Sequence, residues 1–315
     1  MWLRRLGAAI AAVAIVIIAV IVRAAIDDRG QDPASSRPGS ITGKSGPLLA
    51  CLPELAGPCA EIGGVRVRVE SWKQTLDTIG TADEPDAWVT FSPLDTLTHW
   101  TAPPTPLAGS DLVVVAPPER TATLETGCAG RELWTCIGNA AGGPWSALGG
   151  PASWGPLRPG IDDPATSATG LLSLGAASSA FFGRADYTNR DLAADDAFAD
   201  WFVRLVSAVP ANATSDALTL LLQRPSALAL AATTAQRFDA SVGSRRAQFT
   251  ATYPGPMARA EVVLAVRSGA LGSGALDRLT SALREAGWAA PGTGGAQLPG
   301  GATLVRLAEL WREDR

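Results

Sequence analysis

Two short apolar runs bounded by proline, Asp86-Ala-Trp-Val-Thr-Phe91 and Asp111-Leu-Val-Val-Val-Ala116, limit what this 315-residue chain can fold into. A strand that is apolar on both faces must be covered on both, which calls for a parallel or mixed sheet with helices packed against it. The flanking sequence supplies such elements. Val65, Val67 and Val69 alternate with Arg66, Arg68 and Glu70, a period-2 pattern that predicts a half-buried strand. Ser71 to Ile79 then puts Trp72, Leu76 and Ile79 on one helical face and stops at Gly80. This βαβ rhythm predicts an α/β fold with mixed sheets.

The alternation continues through the rest of residues 46–315. A helix is predicted from the stretch Asp162-Asp163-Pro164-Ala-Thr166-Ser167-Ala-Thr169-Gly170 to Gly183, with Asp163 or Ser167 as its cap and Pro164 in its first turn. Ser215 to Gln223 is a helix ended by Pro225. Ala227 to Thr234 is a strand, followed by a short helix at Ala235 to Phe238. Gln248–Tyr253 and Ala260–Arg267 are strands, and Ser273 to Gly287 is a helix capped by Ser273. Residues 127–160 are rich in Gly, Pro and Trp and show little periodicity.

The N-terminus has a different character. Arg4 and Arg5 precede a charge-free apolar run from Leu6 to Val22, which Arg23 closes. As a helix the run spans roughly 25 Å, and snorkelling arginines make up the difference from a hydrocarbon core of about 30 Å. A cleaved signal peptide is the alternative, and Val22-Arg23-Ala24 fits its small-residue cleavage pattern poorly. Residues 1–26 are therefore expected to form an uncleaved, single-pass signal anchor in the cell membrane. The preceding arginine pair puts the N-terminus in the cytoplasm and the body outside. Residues 27–45 carry Pro, Gly and Ser but almost no large apolar side chain, and are expected to be a flexible linker.

Residues 1–45 hold six basic and three acidic groups, a net +3, so the chain's formal −4 leaves −7 on residues 46–315. A body that acidic is a poor binder of a phosphate backbone, which excludes nucleic acid as the expected partner. Four cysteines, Cys51, Cys59, Cys128 and Cys136, form two pairs with the same spacing of eight. Outside the membrane an even count predicts disulfides. Three connectivities exist, of which the local pairing is the simplest, each loop worth about 2.6 kcal/mol before strain. No metal site is expected, because zinc-ligand pairs sit closer in sequence and His99 is the only histidine.

Catalytic motifs are scarce as well. The chain has no His-Glu-x-x-His, Gly-x-Ser-x-Gly or Ser-x-x-Lys, so no enzyme activity and no cofactor are expected. A hydrolase using Ser167 is the remaining enzymatic alternative. The adjacent pairs Asp162–Asp163 and Asp195–Asp196 read as helix caps and solvated faces. The hydroxyl run Thr166-Ser167-Ala-Thr169-Gly170 is the most informative feature, because the first turn of a helix offers unpaired N–H groups and partial positive charge to a carboxylate or phosphate. The ten tryptophans, Trp72, Trp88 and Trp288 among them, read as packing residues rather than sugar platforms.

Taken in order, Pro85–Pro93, Gly109–Pro117, Trp154 through Asp163–Leu172, and Ala247–Val266 with Tyr253-Pro254 resemble a type II extracytoplasmic (periplasmic-type) solute-binding protein. The resemblance is strongest to membrane-anchored actinobacterial forms joined to a von Willebrand A domain, and residues 46–315 contain no such domain. It implies two α/β lobes that close on a ligand: lobe I from 46–118 plus 248–315, lobe II from 119–247, with Val113–Pro117 and Phe249–Tyr253 as the crossings. It further implies a cleft lined by Pro53, Glu54, Ser92, Thr166, Ser167, Thr169, Thr233, Thr234 and Tyr253, in which no arginine or aspartate marks a charged substrate. The expected function is capture of a small solute by a membrane-anchored, non-catalytic protein, with a permease or a von Willebrand A protein as partner. The rival expectation is a scaffold with a degenerate cleft that holds an envelope or membrane protein.

Overall fold

A computed structural model describes residues 41–42, 46–213, 215–267, 271–292 and 298–315. The expected signal anchor lies outside the described residues, and none of the described helices is long and apolar enough to cross a membrane. Among the described residues there are nine strands: β1 (Ile41–Thr42), β2 (Leu48–Cys51), β3 (Arg66–Val69), β4 (Ala87–Ser92), β5 (Thr105–Ala116), β6 (Pro159–Gly160), β7 (Leu230–Thr234), β8 (Thr250–Thr252) and β9 (Arg259–Val266). The expected linker is thus not wholly irregular. The β-branched pair Ile41-Thr42 adds an antiparallel edge to β3, where its backbone groups find partners that a solvated linker lacks.

The α-helices of the described residues are α1 (Ala56–Ala60), α2 (Trp72–Thr78), α3 (Pro118–Gly127), α4 (Leu133–Ala140), α5 (Ala168–Phe182), α6 (Asn189–Ala194), α7 (Asp196–Ser207), α8 (Ala217–Gln223), α9 (Ala235–Val242), α10 (Ser273–Glu285) and α11 (Gly301–Glu313). Strand order is β1-β3-β2-β4-β9-β5-β7-β6, with β8 also on β5. The pairings are mixed, as expected: β2 is parallel to β3 and β4, and β6 to β7, whereas β5 and β9 run antiparallel to their neighbours.

β5 organises the whole. Its Thr105–Asp111 half pairs with β9, and its Leu112–Ala116 half pairs with β7 and β8. One continuous strand therefore belongs to two groups of strands, and the return path runs from β8 to β9. Passage from one group to the other falls at Asp111–Leu112 and between Thr252 and Arg259. Within the expected crossings Val113–Pro117 and Phe249–Tyr253, residues 114–116 and 250–252 pair with each other inside the second group.

The run Asp86–Phe91 is β4 almost to the residue, with Trp88, Val89 and Phe91 fully buried. Ser71 and Gln74 form a capping box at the start of α2. α5 is buried nearly all round, as a central helix with no polar face must be. It packs against α4 and α11. Sequence reasoning missed α11, although Leu304, Leu307 and Trp311 lie on one buried face. α10 begins at Ser273, so Gly272 rather than Ser273 holds its cap position. The disulfides are the local ones, Cys51–Cys59 tying β2 to α1 and Cys128–Cys136 tying the end of α3 to α4.

Gly170 fixes how closely α5 approaches the preceding segment. A Cβ there would lie 2.2 Å from the Asp162 carbonyl oxygen. That neighbour is backbone and cannot swing aside. Gly170→Ala is expected to cost about 1–3 kcal/mol, measured as a lowered urea midpoint with an unchanged m-value. A variant as stable as the parent would show that α5 can withdraw without loss.

Candidate functional site

After β2 the chain turns through Pro53–Leu55 into α1, and the Cys51–Cys59 disulfide closes this loop with Glu54 near its tip. Glu54 reaches the first turn of α5, more than a hundred residues on. Its Oε1 accepts hydrogen bonds from the Ser167 hydroxyl (3.0 Å) and the Thr169 backbone N–H (3.1 Å). Ser167 caps the same helix, its Oγ accepting from the Gly170 N–H at 3.0 Å. The site expected to hold a ligand anion therefore already holds a carboxylate of the chain itself. The Glu54 Oε2 is shielded from solvent and has no hydrogen-bond partner.

Two more helix starts converge here and are filled in the same way. At α8, the Ala217 N–H donates to Asp162 Oδ1 (2.7 Å) and the Thr219 N–H to Asp216 Oδ1 (2.8 Å). At α9, the Arg237 N–H donates to Thr234 Oγ1 (3.2 Å) and the Gln236 N–H to the Ser110 hydroxyl (2.9 Å). The Arg237 guanidinium then bridges Asp162 (2.9 Å) and Asp216 (2.8 Å). Burial pushes the Asp162 carboxyl above the usual carboxylate range, opposed by the Arg237 charge and the Ala217 hydrogen bond. Both of its oxygens accept from donors, so its surroundings are arranged for the ionised form.

These groups surround a cleft of 440 Å³. Pro53, Glu54 and Trp288 contribute from the side of β2, β4 and α10, and Asp162, Thr166, Ser167 and Thr169 from the side of α5. Ser215, Thr234, Gln236, Arg237 and Ala240 complete the wall. Further contacts join the two sides: Trp72 Nε1 donates to the Pro164 carbonyl (2.8 Å) and Gln236 Nε2 to that of Ala286 (2.6 Å).

Of the sequence-predicted residues, Pro53, Glu54, Thr166, Ser167, Thr169 and Thr234 meet in the cleft. Three do not. Thr233 precedes Thr234 on β7 and so faces the other way, fully buried. Ser92 lies at the end of β4 and hydrogen-bonds Asp95. Tyr253 is half exposed beyond β8, outside the cleft lining.

Sequence reasoning misses Asp162, Ser215, Gln236, Arg237 and Ala240 in the lining, and Asp216, which holds Arg237. Asp162 is not a solvated face but 3% exposed, and the cleft does carry an arginine and an aspartate. Trp288, read as packing, both contacts Phe91 (5.7 Å between ring centres) and lines the cleft. The Ser167 hydroxyl is committed to Glu54 and Gly170, and the exposed His99 pairs elsewhere, 3.8 Å from Glu84. Among the described residues, no cluster of three or more His, Cys, Asp or Glu is placed to hold a metal ion.

No protein-family profile matches the sequence, and no curated protein is detectably related to it. Solved structures do match. AfuA, a periplasmic binding protein from Actinobacillus pleuropneumoniae with fructose-6-phosphate bound, aligns over 86% of this chain and 99% of its own, with 12% identity and a TM-score of 0.55. Iron-bound HitA from Pseudomonas aeruginosa aligns over 86% and 99%, with 11% identity and a TM-score of 0.51. The periplasmic binding protein P5PA aligns over 86% and 97%, with 12% identity and a TM-score of 0.50. At such identities the likeness establishes the fold: this chain has the α/β, mixed-sheet fold of periplasmic binding proteins.

Removing the Arg237 guanidinium would leave Asp162 buried without its cation. Arg237→Met is expected to cost about 3 kcal/mol in urea unfolding at pH 7. The raised Asp162 pKa gives the sign of the pH dependence, since a carboxylate destabilised in the folded state gains from protonation. The difference from the parent should shrink as pH falls from 7 towards 5, and a pH-independent difference would show that Asp162 is not its source.

Proposed function

We propose that this chain is an extracytoplasmic protein that captures a small solute between two lobes and performs no chemistry on it. The observation that carries this reading is the 440 Å³ cleft, a volume suited to a small ligand, whose polar walls come from both strand groups that β5 connects. The lobes are proposed as residues 46–118 plus 248–315 and residues 119–247, hinged where β5 and the segment from β8 to β9 pass between them. AfuA and HitA, which share the fold, were solved with a sugar phosphate and with iron bound, and this supports a solute as the cleft's occupant.

The oxidising location is supported by two disulfides that account for all four cysteines. Attachment to the membrane through residues 1–26 is supported by the charge-free run Leu6–Val22 between arginines. A protein so attached would deliver its ligand to a membrane partner, a permease being the simplest, and needs no cofactor.

The test is a thermal-shift screen of the full chain in detergent against small sugars, amines, amino acids and oxyanions. A true ligand at about 100 times its Kd stabilises the folded state by about 2.7 kcal/mol. Ser167→Ala and Trp288→Ala should each raise the Kd read from the concentration dependence of the shift at least tenfold. A screen in which no compound moves the parent's Tm, or in which the same compound moves both variants equally, would overturn the reading.

A further inference from the structure

The tryptophan-rich stretch 127–160 helps to build a second pocket, which shares no lining residue with the cleft. The one-turn helices Trp145–Leu148 and Ala152–Trp154 set two indoles edge to face, 5.3 Å between ring centres. α3 extends Arg120 against both, its guanidinium carbon 6.0 Å from the Trp145 ring centre and 5.7 Å from that of Trp154. Arg158 and Ser226 belong to the same lining.

Charge sets this pocket apart. Among the described residues two arginines are buried, each 8% exposed: Arg68, which pairs with Glu70 at 2.9 Å, and Arg120, which has no carboxylate within ion-pair distance. A desolvated cation is ordinarily matched by an anion. Burial pushes the pKa of the Arg120 guanidinium down, opposed by the charge of the neighbouring Glu119 at longer range. Its Nη1 donates to the carbonyls of Pro225 and Leu228, which are neutral acceptors, and the two indoles carry no net charge. Nη2 donates to nothing among the described residues and, unlike Nε, is not sealed from solvent. Leu228, Trp145 and Trp154, the groups around this guanidinium, all line the pocket, so its free edge lies there. Arg158 is exposed and also without a carboxylate partner among the described residues. Two uncompensated arginines thus meet in one pocket of a body whose net charge is −7.

Size narrows what can compensate them. The pocket has about 20 Å³ of room, enough for a group little larger than a water molecule. A sugar or a tetrahedral oxyanion with four oxygens is too large, whereas a planar carboxylate fits and is the anion that guanidinium N–H groups hold best. We propose that this pocket binds a single carboxylate group, held between Arg120 Nη2 and the Arg158 guanidinium with the two indoles as walls. The carboxylate belongs to a small free acid or to the end of a longer chain, and its binding is independent of what the cleft holds.

Fluorine NMR of the full chain, labelled with 5-fluorotryptophan and held in a non-ionic detergent, tests this. Trp145→Phe, Trp154→Phe and Trp288→Phe assign the three resonances that matter. Titration with acetate or with N-acetylglycine at constant ionic strength should shift the Trp145 and Trp154 signals saturably and leave that of Trp288, in the cleft, unmoved. Tighter binding of acetate identifies a free acid as the occupant, and tighter binding of N-acetylglycine a chain end. Sulfate should bind at least about tenfold more weakly than acetate. Arg158→Gln, at an exposed position, should weaken acetate binding at least about fivefold with the Tm unchanged, and Arg120→Gln, where it folds, should abolish the shift. No saturable shift at Trp145 and Trp154, sulfate binding as tight as that of acetate, or an acetate affinity unchanged by Arg158→Gln would each overturn the proposal.

Discussion

A β-strand holds its ladder only while its backbone stays extended, and β5 keeps a ladder along its twelve residues, broken by one bulge at Leu107, while changing partners halfway. Everything else in the fold follows from that single continuous strand. It holds the two groups of strands side by side, so that the turn after β2 and the start of α5 face each other across a gap. Among the strands, passage between the groups falls inside β5 at Asp111–Leu112 and through the turn between Thr252 and Arg259, and the C-terminal helix α11 returns to pack on α5.

Around the gap, helix ends are satisfied from within the chain. A carboxylate at a helix N-terminus is worth about 0.3–1 kcal/mol when exposed and up to about 2 kcal/mol in partly buried geometry. Glu54 is notable because it acts across the gap: it belongs to the turn after β2 and caps a helix beyond it. Asp162 and Asp216, by contrast, hold Arg237 within one side, where burial raises the cost of separating them. One electrostatic contact therefore bears on how the two sides meet, and the other on how one side is built. The two have different consequences when broken.

Much of the fold was legible. The paired runs at Asp86–Phe91 and Asp111–Ala116 are central strands because two-sided apolarity has few other solutions, and Gly183, at φ +65°, stops α5 where the sequence placed its end. Six cleft residues followed from a resemblance that the shared fold supports. Asp162 was misread because adjacent aspartates look alike in one dimension, and only the tertiary fold sends one of them to α8 and Arg237. Thr233 was included with Thr234 although strand geometry sends neighbours to opposite faces, which a stricter use of the period-2 rule would have caught. The role of Glu54 as a cap for α5 depends on a contact between residues 113 positions apart, and no local pattern encodes it.

The Cys51–Cys59 bridge acquires a meaning from where Glu54 sits. A nine-residue loop cross-linked at both ends has few shapes, so the carboxylate at its tip is delivered already aimed rather than found by search. The ordering entropy of the loop is settled when the disulfide forms. Oxidation thereby fixes the shape of one wall of the gap: the same chain with open thiols would keep its sheets yet hold Glu54 less firmly against α5.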